Sequence, residues 1–319
     1  MKIVVLDGHA ENPGDLSWEG FARQGDLTVY DLTDPGDEAL IQARIGDAEI
    51  ILVNKTPISA ATIAACPQLR YIGVLATGYD VVDVKAAKAG GVTVANTPAY
   101  GTETVAQFAM ALLLEICCRA GHHAAEVRKG RWAEAGEFCF WDYPLMELAG
   151  KTMGIVGFGR IGRGVGKLAH AFGMRILACD AFPVQNPAPY VRVAGLEEIY
   201  AEADVISLHC NLTPANKGMI NLGSIERMKD GVIILNNSRG ALINEPDLAA
   251  ALNSGKVYAA GLDVVAVEPV RPDNPLLAAK NCLITPHISW ATKESRQRLM
   301  DIAVRNLEQY LAGRPENAV

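Results

Sequence analysis

Residues 151–180 constrain this chain more than any other stretch. Lys151-Thr-Met-Gly-Ile-Val156 is a short apolar strand that runs directly into Gly157-Phe-Gly159-Arg-Ile-Gly162, and a helical pattern follows. The next strand, Arg175-Ile-Leu-Ala-Cys-Asp180, ends on an acid. Each part has a physical task. Gly157 lets the chain turn tightly off the strand, Gly159 leaves room for a pyrophosphate to approach the backbone, and Gly162 lets the helix pack closely on the sheet. The helix start offers free N–H groups and the positive end of its dipole to phosphates. Asp180 stands 18 residues beyond Gly162, where a carboxylate can accept from a ribose hydroxyl. Ala181-Phe-Pro183 follows, so no arginine waits there for a 2′-phosphate. The block therefore predicts a Rossmann unit that binds NAD in preference to NADP.

The remainder of the chain repeats the alternation of apolar strands and helical patterns, which argues for α/β architecture with parallel sheets. Ile3–Leu6, Thr28–Tyr30, Ile50–Val53, Tyr71–Val74 and Thr93–Ala95 read as strands, with helices at Glu38–Ile45, Ala60–Ala65 and Val84–Ala89 between them. This first region has the βαβ rhythm without the glycine motif, so two doubly wound units are expected. Beyond Pro98, Val105, Phe108, Ala109, Leu112 and Ile116 fall at helical spacing. Strands resume at Met153–Val156, Ile176–Cys179, Val205–Leu208, Val232–Asn236, Tyr258–Leu262 and Leu283–Thr285, and Thr292–Leu311 reads as a last helix. A chain with this order can return to its first domain. The expected division is 1–99 plus 289–319 for a substrate domain and 100–288 for a nucleotide domain.

With 319 residues, half of them hydrophobic, and a net charge of −7, the chain has the profile of a soluble globular protein. The negative balance argues against nucleic-acid and anionic-membrane partners. The apolar helix Val105–Cys118 is too short to span a bilayer. Seven scattered cysteines without C-x-x-C spacing point to reduced thiols in the cytoplasm and to no metal site. Arg128–Pro144 has no clean period and is rich in aromatics. It reads as an arm in the 120–150 region that buries its rings against a second subunit, giving a homodimer.

A bound nicotinamide implies hydride transfer, which needs a proton donor and a cation to polarise a carbonyl. Three motifs at or beyond strand ends supply candidates. Asn236-Asn-Ser-Arg-Gly240 offers Arg239, able to hold a carboxylate in a fork. Gly261-Leu-Asp-Val-Val-Ala-Val-Glu-Pro269 offers Glu268, and Thr285-Pro-His-Ile-Ser-Trp290 offers His287.

Taken together, these motifs resemble the D-isomer-specific 2-hydroxyacid dehydrogenase family, over nearly the whole chain. The resemblance includes Ala76-Thr-Gly-Tyr-Asp80 with Asp83, Asn96-Thr-Pro98, the helix near Thr104-Val-Ala-Gln107, the glycine block, His209-Cys-Asn-Leu-Thr-Pro214, Asn237-Ser-Arg-Gly240, Asp263 with Glu268, and Pro286-His287. Where many relatives have Glu and then His, this chain has Gln107 and Phe108, a departure that leaves the catalytic set intact. The resemblance implies a flavodoxin-like substrate domain, a Rossmann domain and an active-site cleft between them. It further implies that Arg239 binds the substrate carboxylate and carbonyl, that His287 is the acid in reduction, and that Glu268 pairs with His287 and favours its protonated form. Backbone N–H groups of Ala76, Thr77 and Gly78 would help hold the carboxylate. Gly157, Gly159, Arg160, Ile161 and Gly162 would face the pyrophosphate and Asp180 the ribose. Asp263 would lie on the nicotinamide side, and Thr104, His209, Asn237, Ser238, Arg239 and His287 would complete the cofactor's surroundings.

Within the family, Val53-Asn-Lys-Thr56, Ala99–Phe108 and Phe140-Trp-Asp-Tyr-Pro144 look most like members that interconvert hydroxypyruvate and D-glycerate with NADH. Lys55, near a strand end, could reach the substrate's hydroxymethyl side. Glyoxylate, D-lactate and 3-phosphoglycerate remain alternatives, because one methylene in an apolar pocket is worth only about 1–3 kcal/mol. From a different class, a non-enzymatic NAD-sensing corepressor can retain the same residues.

Overall fold

The computed structural model describes residues 1–319. The chain divides into two compact units, Met1–Gly101 with Trp290–Val319, and Thr102–Ser289. In the first, strands β1 (Lys2–Val5), β2 (Asp26–Val29), β3 (Ile50–Val53), β4 (Tyr71–Val74) and β5 (Thr93–Ala95) alternate with helices α1 (Glu19–Ala22), α2 (Glu38–Ile45), α3 (Ala60–Ala65) and α4 (Val84–Ala89). All pairings are parallel, in the order β2-β1-β3-β4-β5. Every residue of β3 and β4 is buried, as expected for parallel strands covered on both faces.

The second unit opens with α5 (Thr102–Cys118), α6 (Ala120–Arg128) and α7 (Arg131–Glu134). Then follow β6 (Thr152–Val156), α8 (Arg160–Ala171), β7 (Arg175–Cys179), β8 (Val191–Val193), α9 (Leu196–Glu202), β9 (Val205–Leu208), α10 (Leu222–Glu226), β10 (Val232–Asn236), α11 (Glu245–Ser254), β11 (Val257–Leu262) and β12 (Cys282–Ile284). They form a seven-stranded parallel sheet, β12-β11-β10-β9-β6-β7-β8. One apolar cluster packs α5 and α8 on the sheet, with Leu113, Ile116, Ile155 and Val165 at its centre. A second gathers Ile199, Tyr200, Ile225, Leu248 and Leu252 from α9, α10 and α11. The last helix, α12 (Lys293–Leu311), returns to the first unit, where Leu299, Met300, Ala303 and Leu307 join Ile3, Val5, Leu52 and Tyr71.

Two differences from the sequence reading have simple causes. β8 and helices α1, α7 and α10 are too short to show a period, α6 buries no residue and so has no apolar face to read, and α9 and α11 were also not read as helices. The aromatic arm contains α7 and is pinned by Arg131, which donates to Asp142 through both terminal nitrogens at 2.5 and 2.6 Å. His122, His123 and Asp142 come within 4.8 Å of one another there, and the Asp142 carboxylate pairs with His122 Nε2 at 2.7 Å as well as with this guanidinium. Trp132, Phe138, Trp141 and Leu145 are exposed. No single helix is long and apolar enough to cross a membrane. The bent pair α5–α6 passes on length and composition together, but the apolar face of α5 is part of the unit's core.

Candidate active site

The carboxyl ends of the second sheet carry the nucleotide-loop residues. Gly157 reverses the chain at the end of β6 with φ +93°, and a Cβ there would lie 2.3 Å from the Cys210 amide nitrogen. A Cβ on Gly162 would lie 2.1 Å from the Gly157 carbonyl oxygen. Packing within the protein thus requires both. Gly159 is different: its φ is −75° and a Cβ would meet nothing within 4 Å. Open space at that position suits a ligand that approaches the backbone. Gly159 caps α8 with no side-chain acceptor, so the first-turn N–H groups of Arg160, Ile161 and Gly162 point outward without intrahelical partners. Arg160 is exposed and Ile161 is half-buried against the core.

Asp180 fastens this turn to β7. Its Oδ2 accepts from the Phe158 amide at 2.6 Å and its Oδ1 from the Phe182 amide at 3.1 Å. Each oxygen keeps a second lone pair for a ribose hydroxyl. Beyond β9, His209 Nε2 lies 2.7 Å from Ser207 Oγ, while Nδ1 is buried with no partner. Burial pushes this imidazole down to about 4, so it is neutral at pH 7. Beyond β10, neither amide atom of buried Asn237 has a partner. Buried polar atoms without partners are uncommon in proteins. With the bare helix start and the open face of Gly159, they fit a dinucleotide. Thr104 is buried in the first turn of α5.

Arg239 stands on a turn built by its neighbours. Buried Asn236 accepts from the Ser238 amide and hydroxyl, each at 3.0 Å, and donates to the Arg239 carbonyl at 3.0 Å. A Cβ on Gly240 would lie 1.9 Å from the Val265 carbonyl carbon. The arginine turn therefore rests directly on the loop that leads to Glu268. Glu268 Oε1 accepts from the Val265 amide at 3.2 Å, and Oε2 faces His287 Nδ1 at 2.7 Å. Glu245 braces the same loop, accepting from the Ala266 amide at 2.8 Å and from Asn274 Nδ2 at 3.1 Å.

His287 has φ +55°, a left-handed conformation that costs a non-glycine residue roughly 1–3 kcal/mol. Asp263 holds it there. The His287 amide donates to the Asp263 carbonyl at 2.9 Å. The Asp263 carboxylate accepts from Thr285 Oγ1 (2.6 Å), the Ile288 amide (2.9 Å) and the Ser289 amide (2.8 Å). Anchoring this loop is a task of Asp263 that stands beside the place on the nicotinamide side implied by the resemblance. Its side chain is fully buried and works as the anchor of the histidine loop.

In the first unit, the Lys55 side chain is exposed and its amide donates to Asp7 Oδ2 at 2.6 Å. Ala76 is buried after β4. Thr77 is exposed, with its hydroxyl donating to the Thr97 carbonyl at 3.1 Å, and Gly78 is half-buried. Sequence reasoning assigned no role to Asn236, Glu245, Asp7 or Glu11. An amide closing an apolar strand was the available signal for Asn236, and an acid two residues past one for Asp7, while nothing marked Glu245 or Glu11.

Residues 110–289 match the family model described as "D-isomer specific 2-hydroxyacid dehydrogenase, NAD binding domain". The chain belongs to this family. It is 58% identical to a hydroxypyruvate reductase of Blautia hydrogenotrophica over 100% of this chain and 99% of that protein. It is 42% identical to a glycerate dehydrogenase of Methylorubrum extorquens over 100% of this chain and 98% of that protein. Among solved structures it is similar to the TT0316 protein of Thermus thermophilus, at a TM-score of 0.86 and 36% identity with both chains fully covered. As a 2-hydroxyacid dehydrogenase, the protein is an NAD(H)-linked oxidoreductase acting on small 2-keto and 2-hydroxy acids.

Proposed function

We propose that this enzyme reduces hydroxypyruvate to D-glycerate, with NADH preferred over NADPH. The observation that carries the catalytic reading is the 2.7 Å contact between His287 Nδ1 and Glu268 Oε2, on a loop packed against the turn that bears Arg239. The similarity to proteins named hydroxypyruvate reductase and glycerate dehydrogenase supports the substrate. NADH, when bound, supplies the hydride. Arg239 binds the substrate carboxylate and polarises the carbonyl. Glu268 accepts from Nδ1–H and so orients the ring, leaving Nε2 to deliver the proton to the carbonyl oxygen. In the first unit, Lys55 serves the hydroxymethyl side of the substrate and the amides of Ala76–Gly78 its carboxylate.

Asp180 supports the NADH preference, because a 2′-phosphate beside it meets a carboxylate and no following cation. The exposed rings of the 120–150 arm support a homodimer, to be checked by light scattering, and the seven free cysteines support a reducing, cytoplasmic location. The test of function is the loss of NADH absorbance, with NADPH in parallel, against hydroxypyruvate, glyoxylate, pyruvate and 3-phosphohydroxypyruvate. Fast turnover of hydroxypyruvate with NADH is expected. Preference for another acid keeps the chemistry and replaces the substrate. Silence on all four, with NADH still bound, favours an NAD sensor.

A further inference from the structure

The first sheet runs β2-β1-β3-β4-β5, so its strand order reverses between β1 and β3. At such a switch point the loops after the two strands diverge and leave a crevice, where ligands of open α/β sheets commonly bind. Here Asp7, two residues past β1, bridges the divergence. Its carboxylate accepts from three consecutive main-chain amides beyond β3: Asn54 at 2.8 Å, Lys55 at 2.6 Å and Thr56 at 2.7 Å. Asp7, Asn54 and Thr56 are all buried.

A second tie runs from the same loop. The Asn54 side-chain amide donates to Glu11 and, at 2.9 Å, to the Leu75 carbonyl, next to Ala76. Glu11 is fully buried. Burial first, and then the charge of Asp7, push its carboxyl well above the usual range. The segment behind it is fixed by Arg296 of α12, which donates to the Glu11 carbonyl at 2.9 Å and grips Asp15 at 2.7 and 2.8 Å. The arrangement lies beyond the ladder of β1 and β3, whose paired residues end at Val5 and Leu52. What it does is give one conformation to the short loop that carries Lys55.

We propose that Asp7 is a positioning residue for substrate selection: it clamps the 54–56 loop so that Lys55 is presented to the substituent on the substrate's 2-keto carbon. The proposal rests on the reading of Lys55 given above. It assigns to Asp7 no contact with substrate or cofactor. Its effect should therefore depend on the size and polarity of the substituent. Hydroxypyruvate carries a hydroxymethyl group there, whereas glyoxylate carries only hydrogen.

The test uses the full-length enzyme and both acids. Asp7→Asn places an N–H against the amides it replaces an acceptor for. It should raise KM for hydroxypyruvate about 10-fold or more, with KM for glyoxylate and kcat on either acid changing less than about 3-fold. NADH affinity, read by fluorescence, should stay the same. Lys55→Met should give the same pattern, and adding Asp7→Asn to it should cost less than about 2-fold more, because a residue that acts through another is not additive with it. If Asp7→Asn does not fold, Asn54→Ala cuts the second tie and should raise the hydroxypyruvate KM selectively, with Asn54→Asp not restoring it. Equal rises in KM for both acids, no rise for either, or full additivity with Lys55→Met would overturn the proposal. A wild-type chain that reduces no 2-keto acid would remove the functional reading and this inference together, whereas an active wild type with an indifferent Asp7 removes only the inference.

Discussion

Asp7 and Asp263 do similar work in the two sheets, the first at the switch point between β1 and β3 and the second beside the edge strand β12. Each follows a strand closely, β1 or β11, and its carboxylate takes three hydrogen bonds from the loop after the neighbouring strand, β3 or β12. The bonds differ in kind. Asp263 takes one from a side chain, the Thr285 hydroxyl, and two from main-chain amides, whereas all three bonds to Asp7 come from the main chain. A main-chain clamp fixes conformation without fixing residue type, so the loop it holds can change side chains while keeping its shape. A clamp that uses a hydroxyl ties one residue identity to the geometry. The first arrangement suits a loop that selects among substrates, the second a loop whose histidine must stay in place.

The comparison can be broken at several points. Removing what the second clamp holds should have the largest effect: His287→Ala is expected to lower turnover by about 10³-fold, the scale of losing a general acid, with NADH titration unchanged. Removing the clamp itself comes next. Asp263→Asn leaves buried donors facing an amide and should cost about 2–3 kcal/mol in chemical denaturation, with turnover falling about 10- to 100-fold as His287 leaves its strained backbone.

A third test separates the two units by pH. His209 in the second unit has its folded value pushed down to about 4 from 6.5, so between those values the unfolded chain takes up the proton more readily. Stability should fall as pH drops from 6.5 towards 4, by up to about 3 kcal/mol from this residue, and His209→Gln should flatten that limb. Glu11 in the first unit is shifted upward from 4.5, so the opposite holds: the unfolded chain releases its proton first, and stability is lost as pH rises above 4.5. Glu11→Gln should remove that second slope in the same urea series. A smaller effect is expected from Thr285→Val, which deletes one of the three bonds to Asp263. A loss of about 1 kcal/mol, read by denaturant midpoint, would fit a single hydrogen bond, while Lys55→Ala should leave stability within about 0.5 kcal/mol because Asp7 uses only its amide.

The same distinction explains what could be read from the sequence. The buried strands β3, β4 and β10 are continuous apolar runs, and α5 has a long apolar face, so the parallel architecture was visible in hydrophobicity alone. Arg239, Glu268 and His287 were visible because each belongs to a motif next to a strand end. The anchoring role of Asp263 was not visible, because its burial and its three donors are products of tertiary structure. Asp7 escaped altogether: an amide donor is present at every residue except proline, so a clamp made of amides leaves no pattern in residues 54–56 to find. Helices α7 and α10 were missed because each is little more than a single turn.

Gly159 has one further consequence. Because a methyl group there would touch no part of the protein, whereas one on Gly157 or Gly162 would collide with main chain, Gly159→Ala offers a separation of function. The variant should accumulate in cells at the normal level, with its surface and its assembly intact, and fail only in holding its dinucleotide. A strain carrying it can then tell a growth defect caused by lost catalysis from one caused by the loss of the polypeptide itself, a distinction that neither a deletion nor a misfolded mutant can make.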